Sequence, residues 1–386
     1  MDTLRNYTAT TLFGLENTLA TELKQLGAKE IKELNRAVSF VGDKHLMYKA
    51  NLWLRTALKV LQPIHQFTAT NEEQLYNGVK QVDWSAYLSA DETLALESAV
   101  NSTFFNHSKY VALKAKDAIV DQFRNRYGRR PNVDLENPTV RIHLHIFKDQ
   151  CTLSLDSSGE SLHKRGYRTS NALAPLSEVL AAGLVLLSGW DGQSTFIDPM
   201  CGSGTIVIEA GLIAKNMAPG MQRSHFGFMN WNDYDEDAWQ ELLQAAISNQ
   251  KETELQLIGS DIAAGPIALA RENVVKAGLD EDIKILKRPF EELVPPVGGG
   301  TVVINPPYGE RLELADVMQF YKSIGDTLKK NFDGYDVWIL SSNKEAMKNI
   351  GLRTSKKLTL YNGPLECKFH HFSMYRGSKK GQNEES

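Results

Sequence analysis

The sequence predicts an α/β protein with an α+β N-terminal region and a C-terminal half built on a mostly parallel sheet. From Leu176 onward, short apolar runs alternate with helical patterns, which is typical of parallel sheets. An Asn362-Gly363 pair near the end predicts an antiparallel terminal hairpin. The first sixty residues have the order strand, helix, strand, strand, helix, strand, which is ferredoxin-like.

The ferredoxin-like order rests on six short segments: Tyr7–Thr10, Leu15–Leu26, Lys29–Leu34, Ala37–Val41, His45–Leu54 and Leu58–Pro63. A second α+β region follows, with strands predicted at Leu94–Val100, Val140–Phe147 and Cys151–Asp156. The small polar residues 157–159 predict a linker. The expected divisions are therefore two domains at 1–65 and 66–158, a linker at 159–170, a C-terminal domain at 171–377 and a disordered tail at 378–386.

A glycine-rich turn follows the first strand of the C-terminal half. It reads Asp198-Pro199-Met200-Cys201-Gly202-Ser203-Gly204-Thr205 and leads into a predicted helix. Gly202 and Gly204 let a ligand approach the backbone, and the helix start offers free N–H groups. The turn lacks the lysine of a phosphate-binding loop and the third glycine of a dinucleotide fingerprint. Asp198 would repel a pyrophosphate but suits an ammonium group, so S-adenosylmethionine fits the turn better than a nucleotide.

The next two strands also end in candidate groups. The strand Leu255–Gly259 leads to Asp261, which either caps the following helix or binds ribose hydroxyls. The strand Ile283–Lys287 leads to Phe290, which is expected to pack against adenine. Open parallel sheets bind ligands at the carboxyl ends of their strands, so these groups are expected to share one site.

The fourth strand delivers Asn305-Pro306-Pro307-Tyr308, which suits methyl transfer to a nitrogen with a delocalised lone pair. The Asn305 side-chain oxygen and the Pro306 carbonyl would accept its N–H groups and aim the lone pair at a sulfonium methyl. Proline fixes φ and has no N–H, and Tyr308 can stack on a planar substrate. A simple polar turn at a strand end is the alternative interpretation.

These motifs resemble those of the THUMP-containing RNA methyltransferases over nearly the whole chain. The resemblance lies in DPMCGSGT, SDI and NPPYGERL, with HKRGYR and NALAPL upstream and LYNGPLECKFHHF downstream. The pattern is most similar to bacterial enzymes that methylate guanine N2 in 23S ribosomal RNA. It implies a Rossmann-like class I methyltransferase domain preceded by a ferredoxin-like and THUMP region that binds RNA.

The resemblance also implies roles for individual residues. The cofactor, S-adenosylmethionine before transfer and S-adenosylhomocysteine after it, is expected at Asp198, Pro199, Cys201, Gly202, Ser203, Gly204, Thr205, Asp261, Ile262, Pro289, Phe290 and Asn305. The target base is expected to contact Asn305, Pro306, Pro307 and Tyr308. The turn at residues 171–176 is expected to lie over the cofactor. Related enzymes often carry an aspartate where Pro289 stands, so backbone groups near Phe290 are expected to read adenine.

Two basic clusters are candidates for RNA contact. The first lies along a predicted helix and just past its end. It comprises Lys109, Lys114, Lys116, Arg124, Arg126, Arg129 and Arg130. The second lies at the domain junction and comprises Lys164, Arg165 and Arg168. A solvated helix face is the alternative for the first cluster, but beside a methyltransferase half a phosphate-binding surface is favoured.

Composition limits the class of protein. The chain has 386 residues, 42% of them hydrophobic, and a net charge of −4. No apolar run approaches the roughly 20 residues of a membrane helix, and three widely spaced cysteines form neither a zinc pattern nor a disulfide framework. A cytoplasmic protein without metal is expected.

The sequence leaves several substrates open. Adenine N6 and transfer-RNA guanine N2 offer the same kind of planar amine as guanine N2 of 23S ribosomal RNA. Enzymes that methylate glutamine N5 in proteins use the same Asn-Pro-Pro-Tyr motif. A non-catalytic RNA-binding or ribosome assembly factor is the alternative of another class. Neither the modified nucleotide nor the oligomeric state follows from the sequence.

Overall fold

The computed structural model describes residues 3–168, 176–254, 256–307 and 314–375. The chain divides into two compact units. The first unit comprises residues up to 11, 19–164 and 223–245, and the second comprises 12–18, 165–222 and the chain from 246 onward. The C-terminal domain expected at 171–377 is therefore interrupted by a stretch that belongs to the first unit.

The first unit begins with the predicted ferredoxin-like order. Its elements are β1 (Arg5–Thr11), α1 (Glu16–Gln25), β2 (Lys29–Leu34), β3 (Ala37–Gly42), α2 (Lys44–Trp53) and β4 (Ala57–Thr68). The region that follows contains α3 (Glu72–Lys80), β5 (Thr93–Asn101), α4 (Ser108–Tyr127), β6 (Asn132–Val133), β7 (Val140–Phe147) and β8 (Gln150–Asp156). Helix α4 is the predicted basic helix, and it ends at Gly128, whose φ of 69° closes the last turn.

One continuous sheet joins the two regions of the first unit. Its strand order is β2-β3-β1-β4-β8-β7-β5-β6. Strand β4 pairs with β1 on one side and with β8 on the other. It continues past Pro63 because the register shifts between Pro63 and His65, and such a bulge tolerates a residue without an N–H. The expected boundary at residue 65 therefore falls inside a strand.

The second unit alternates strands and helices as predicted. The remaining elements, which except for α7 lie wholly in the second unit, are α5 (Glu178–Ser188), β9 (Thr195–Asp198), α6 (Thr205–Ala214), α7 (Glu236–Ser248), β10 (Leu257–Asp261), α8 (Ala264–Lys276), β11 (Ile283–Lys287), β12 (Gly300–Ile304), α9 (Leu314–Asn331), β13 (Tyr335–Ser341), α10 (Lys344–Lys348), β14 (Lys356–Asn362) and β15 (Leu365–Ser373). Most of α7 lies in the interrupting stretch. The sheet order is β11-β10-β9-β12-β13-β15-β14, and the last two strands form the antiparallel hairpin.

The strand order reverses between β9 and β12. From β9 the chain builds β10 and β11 on one side, and it then returns to build β12 and β13 on the other. The return depends on Gly300, whose φ is 152° and where a Cβ atom would lie 2.2 Å from the Thr195 carbonyl oxygen. Such a reversal opens a crevice at the carboxyl ends of the strands.

The terminal hairpin turns one residue later than predicted. Asn362 still pairs with Leu365, so the two turn residues are Gly363 and Pro364. Gly363 has a φ of 59°, and proline cannot have a positive φ. A positive φ followed by a negative one is the type II′ combination, which suits the twist of a hairpin.

Residues 223–245 pack within the first unit, where their aromatic side chains Phe226, Phe228 and Trp239 are buried. Phe226 and Phe228 are fully buried, and the Phe228 ring lies 4.4 Å from that of Tyr48. The Arg223 guanidinium donates to the carbonyl oxygens of Lys164 at 2.8 Å and Glu160 at 2.9 Å. The first part of the predicted linker is therefore held by a side chain some sixty residues later.

Within the described ranges, no helix is both long and apolar enough to cross a membrane. The same ranges contain no cluster of His, Cys, Asp and Glu side chains suited to a metal ion.

We expect residues 165–386 to be unstable when produced alone, because Phe226 and Phe228 would lose the partners that bury them. The fragment should bind 1-anilinonaphthalene-8-sulfonate and aggregate on size-exclusion chromatography. A matched fragment in which residues 223–245 are replaced by a Gly-Ser linker should bind less dye. Equal dye binding by the two fragments would contradict this account.

Candidate active site

The two sequence motifs meet at the strand-order reversal. In the parallel pairing of β12 with β9, Val302 lies opposite Ile197, so Val303 is level with Asp198 and Asn305 lies two residues further on. With neighbouring strands ~4.8 Å apart and a rise of ~3.3 Å per residue, the Cα atoms of Asp198 and Asn305 are about 8 Å apart. That separation allows both motifs to contact one ligand.

The glycine-rich turn is held open by backbone hydrogen bonds. The Cys201 N–H donates to the Ser260 carbonyl at 2.8 Å, and the Gly204 N–H donates to the Cys201 carbonyl at 2.8 Å. Gly202 has a φ of 53°, and a Cβ atom there would meet nothing within 4 Å. A ligand can therefore approach the turn at Gly202, whereas a Cβ at Gly204 would press on Ala270 at 3.3 Å.

Asp198 is a buried carboxylate at the end of β9. Its side chain has 1% exposure, and within the described ranges its Oδ2 atom has no hydrogen-bond partner. Burial, with a smaller contribution from the nearby Asp261 carboxylate, raises the pKa of Asp198 to about 8. A buried carboxylate without a neighbouring cation is stabilised by a cationic ligand, so the residue fits the ammonium group of an amino-acid cofactor.

Asp261 joins the turn to the next strand. Its Oδ2 accepts the Gly202 N–H at 3.0 Å, and its Oδ1 accepts the Ala263 N–H at 2.9 Å. The N-cap position of α8 is Ala263, and Asp261 closes the short turn before it, so Asp261 does not cap the helix itself. Each carboxylate oxygen keeps a further lone pair, and the side chain is half-buried, so hydroxyl groups of a ribose can still bind.

The structure corrects the expectation for Phe290. Its ring is 4% exposed and lies in the hydrophobic core, 5.3 Å from the ring of Phe332. Pro289 precedes a short 3₁₀ turn that directs Phe290 inward. An exposed apolar side chain does lie at this rim, because Ile262 follows Asp261 directly and is 68% exposed. Ile262 is therefore better placed than Phe290 to pack on an adenine ring.

The target-base motif is only partly described. Asn305 is half-buried, Pro306 is buried and Pro307 is exposed, directly after β12. Tyr308 lies outside the described residues, as do 171–175 of the turn expected over the cofactor. Burial raises the pKa of the Cys201 thiol, so this thiol stays protonated and is no nucleophile.

Arg165 was wrongly expected to contact RNA. Its side chain is 3% exposed, and its Nε lies 3.4 Å from Glu209 Oε1. A guanidinium buried against a carboxylate inside the second unit is not accessible to phosphate. Arg168 is partly exposed and faces Glu178 at 3.0 Å. Lys164 is exposed and pairs with Glu160.

The basic residues of α4 are largely matched by acidic neighbours. Arg126 lies 3.0 Å from Asp83 and Arg129 lies 2.5 Å from Asp91. Arg124 and Lys116 pair with Asp121 and Asp117 on the same helix, and the Lys114 ammonium lies 5.5 Å from the Tyr76 ring centre. Lys109 and Arg130 are exposed. Exposed ion pairs contribute little stability, so phosphates can still compete for these side chains, but the cluster is less positive than its sequence indicates.

Comparisons with known proteins agree with this organisation. Three family models match the chain: an RlmL ferredoxin-like domain at residues 6–61, a THUMP domain at 69–156 and an RMKL-like methyltransferase domain at 165–371. The chain is 43% identical to the ribosomal RNA large subunit methyltransferase K/L of Syntrophotalea carbinolica, over 97% of this chain and 54% of the relative. It therefore spans about half the length of that relative.

A Synechocystis protein assigned as an RNA methyltransferase is 42% identical, over 97% of this chain and 98% of its own length. Among solved structures, a protein assigned as a methyltransferase and crystallised with S-adenosylhomocysteine matches with a TM-score of 0.86 and 30% identity, over 98% of this chain and 100% of its own. S-Adenosylmethionine is the cofactor, since the fold, the glycine-rich turn and the buried Asp198 carboxylate all suit it. The chain belongs to the RMKL-like methyltransferase family, with an RlmL-type ferredoxin-like domain and a THUMP domain preceding the transferase domain.

Proposed function

We propose that this chain methylates guanine N2 in large-subunit 23S ribosomal RNA. The observation that carries the proposal is the position of Asn305 beside Asp198 at the reversal of strand order. The names of the relatives support ribosomal RNA as the substrate, and the THUMP domain supports RNA binding. A target base in a paired region would have to be flipped out of its helix to reach this crevice.

We propose the following roles for the site residues. S-Adenosylmethionine, when bound, supplies an electrophilic methyl group. Asp198 binds its ammonium group and Asp261 its ribose hydroxyls. The Asn305 side-chain oxygen and the Pro306 carbonyl accept the two N–H groups of the target amine and orient its lone pair. Tyr308 stacks on the base. The amine loses its proton after it has become cationic, so orientation is the main contribution of the protein.

The product of the reaction tests the proposed substrate. We expect the purified enzyme to form N2-methylguanosine in bulk RNA from a strain that lacks the gene, as measured by nucleoside mass spectrometry. Separated 23S ribosomal RNA and transfer RNA should show the product in the former alone. N6-Methyladenosine, or a methyl label that survives nuclease treatment in a protein fraction, would refute the proposal.

Replacing Asn305 with Ala should lower kcat by about 100-fold or more, because a positioned acceptor acts mainly in the transition state. The affinity for S-adenosylhomocysteine should change far less than kcat, because the cofactor keeps its expected contacts at Asp198, Gly202 and Asp261. Asp261→Ala is the matched comparison. It should weaken cofactor binding by about tenfold or more through the lost charged hydrogen bonds. Equal losses of affinity in the two variants would contradict the assigned roles.

Cofactor binding should release close to one proton at pH 6.5. With a pKa of about 8, Asp198 is mostly protonated in the free protein, and the ammonium of the cofactor favours the ionised form. Calorimetric titrations in phosphate and in Tris should therefore give different apparent enthalpies. Asp261→Asn should bind more weakly but keep this buffer dependence. A binding enthalpy that is independent of the buffer would contradict the role of Asp198.

A further inference from the structure

Two arginines contact the helix that follows the glycine-rich turn. Thr205 is the first residue of α6, and Glu209 lies one turn later, so both side chains lie on one face of the helix. Arg165 reaches Glu209, and Arg168 reaches Thr205. Neither contact was visible in the sequence, because the partners are about forty residues apart.

The Arg168 guanidinium contacts three groups in three places, two through hydrogen bonds and one through an ion pair. Its Nη2 donates to the Thr205 Oγ1 at 3.0 Å and to the Leu176 carbonyl at 2.5 Å. Its Nε forms an ion pair with Glu178 at 3.0 Å. A planar guanidinium can serve acceptors in several directions at once, whereas an ammonium on a flexible chain cannot hold the same geometry.

The two glutamates beside these arginines are buried. Glu209 is fully buried and accepts the Tyr167 hydroxyl at 3.1 Å. Glu178 is 2% exposed, and burial raises its pKa to about 7, while Arg168 opposes that rise. Each of the two glutamates lies against one of the two arginines. Such a network holds a fixed geometry, because removing one member leaves another buried and unpaired.

The turn is thus held at three successive points. Asp261 binds the Gly202 N–H, the Asn273 side chain donates to the Ser203 carbonyl at 3.0 Å, and Arg168 binds Thr205. The first two anchors come from β10 and α8. The third comes from the segment that precedes α5.

We propose that Arg168 is a positioning residue for the cofactor turn, which it holds through the Thr205 hydroxyl in the geometry that receives S-adenosylmethionine. The inference rests on the cofactor pocket proposed at Gly202–Gly204, and not on the identity of the methylated base. It replaces the RNA contact expected for Arg168, since a phosphate would have to displace protein acceptors already bound by its guanidinium.

A double-mutant cycle with the full chain tests this role. Arg168→Lys and Thr205→Val should each weaken S-adenosylhomocysteine binding by about tenfold in calorimetry, which is typical for a lost charged hydrogen bond. The double variant should be no weaker than the weaker single variant, because both changes remove one interaction. The RNA KM of Arg168→Lys should stay within about twofold, and its kcat at saturating cofactor within about threefold. Arg353→Lys, the same change at an exposed arginine of the second unit, should leave cofactor affinity unchanged.

Three outcomes would overturn the proposal. Unchanged cofactor affinity in Arg168→Lys is the first. The second is a raised RNA KM with normal cofactor affinity, which would restore the RNA contact. The third is a loss of about 100-fold in the double variant, which would show that the two residues act independently. If Arg168→Lys does not fold, Thr205→Val alone decides, and normal affinity in that variant refutes the role. Failure to methylate guanine would leave the titrations interpretable, whereas failure of the unaltered chain to bind S-adenosylhomocysteine would refute the pocket itself.

Discussion

The parallel pairing of β9 with β12 is the constraint on which the candidate site depends. It sets the end of one strand beside the end of another that is separated from it by about a hundred residues of sequence. Gly300 permits the close approach at the start of this pairing, because any side chain there would collide with the Thr195 carbonyl. Since the register of parallel strands is fixed by evenly spaced hydrogen bonds, the distance from Asp198 to Asn305 is determined by the sheet and not by the loops.

The site also contains buried ionisable side chains, and these occur in two different arrangements. Asp198 is a carboxylate with no cation beside it among the described residues, so its ionised form is stabilised when a ligand brings one. In the network of Arg165, Arg168, Glu178 and Glu209, each carboxylate already lies against a guanidinium. The first arrangement favours binding of a cation, and the second favours rigidity of the protein around the binding turn.

The sequence predicted those parts of the structure that depend on local pattern. The alternation of strands and helices and the polar residues at strand ends follow from periodicity and turn chemistry, and they placed Asp198, Asp261 and Asn305 at one edge of the sheet. Helix α3 was missed, although Asn71 caps it and Glu72 and Glu73 fill its first turn, which is a readable start signal.

The remaining differences depend on partners that are distant in sequence. Phe290 faces the core because Phe332 lies beside it, and Arg165 is buried because Glu209 accepts it. Strand β4 passes Pro63 because β8 supplies a bulged partner. The acidic partners of α4, Asp83 and Asp91, come from preceding loops. Periodicity within one segment carries no information about such pairs.

The interrupted course of the chain also bears on the order of folding during synthesis. The first unit lacks the side chains that cover Tyr48 until residues 223–245 have been made, about 80 residues after its main segment ends at Lys164. At ~5–20 residues per second, that interval lasts on the order of 4–16 s. The nascent N-terminal unit therefore presents an uncovered apolar surface on the ribosome while the first strand and helix of the transferase sheet are being translated. Completion of the N-terminal core and the beginning of the transferase core are thus interleaved in time.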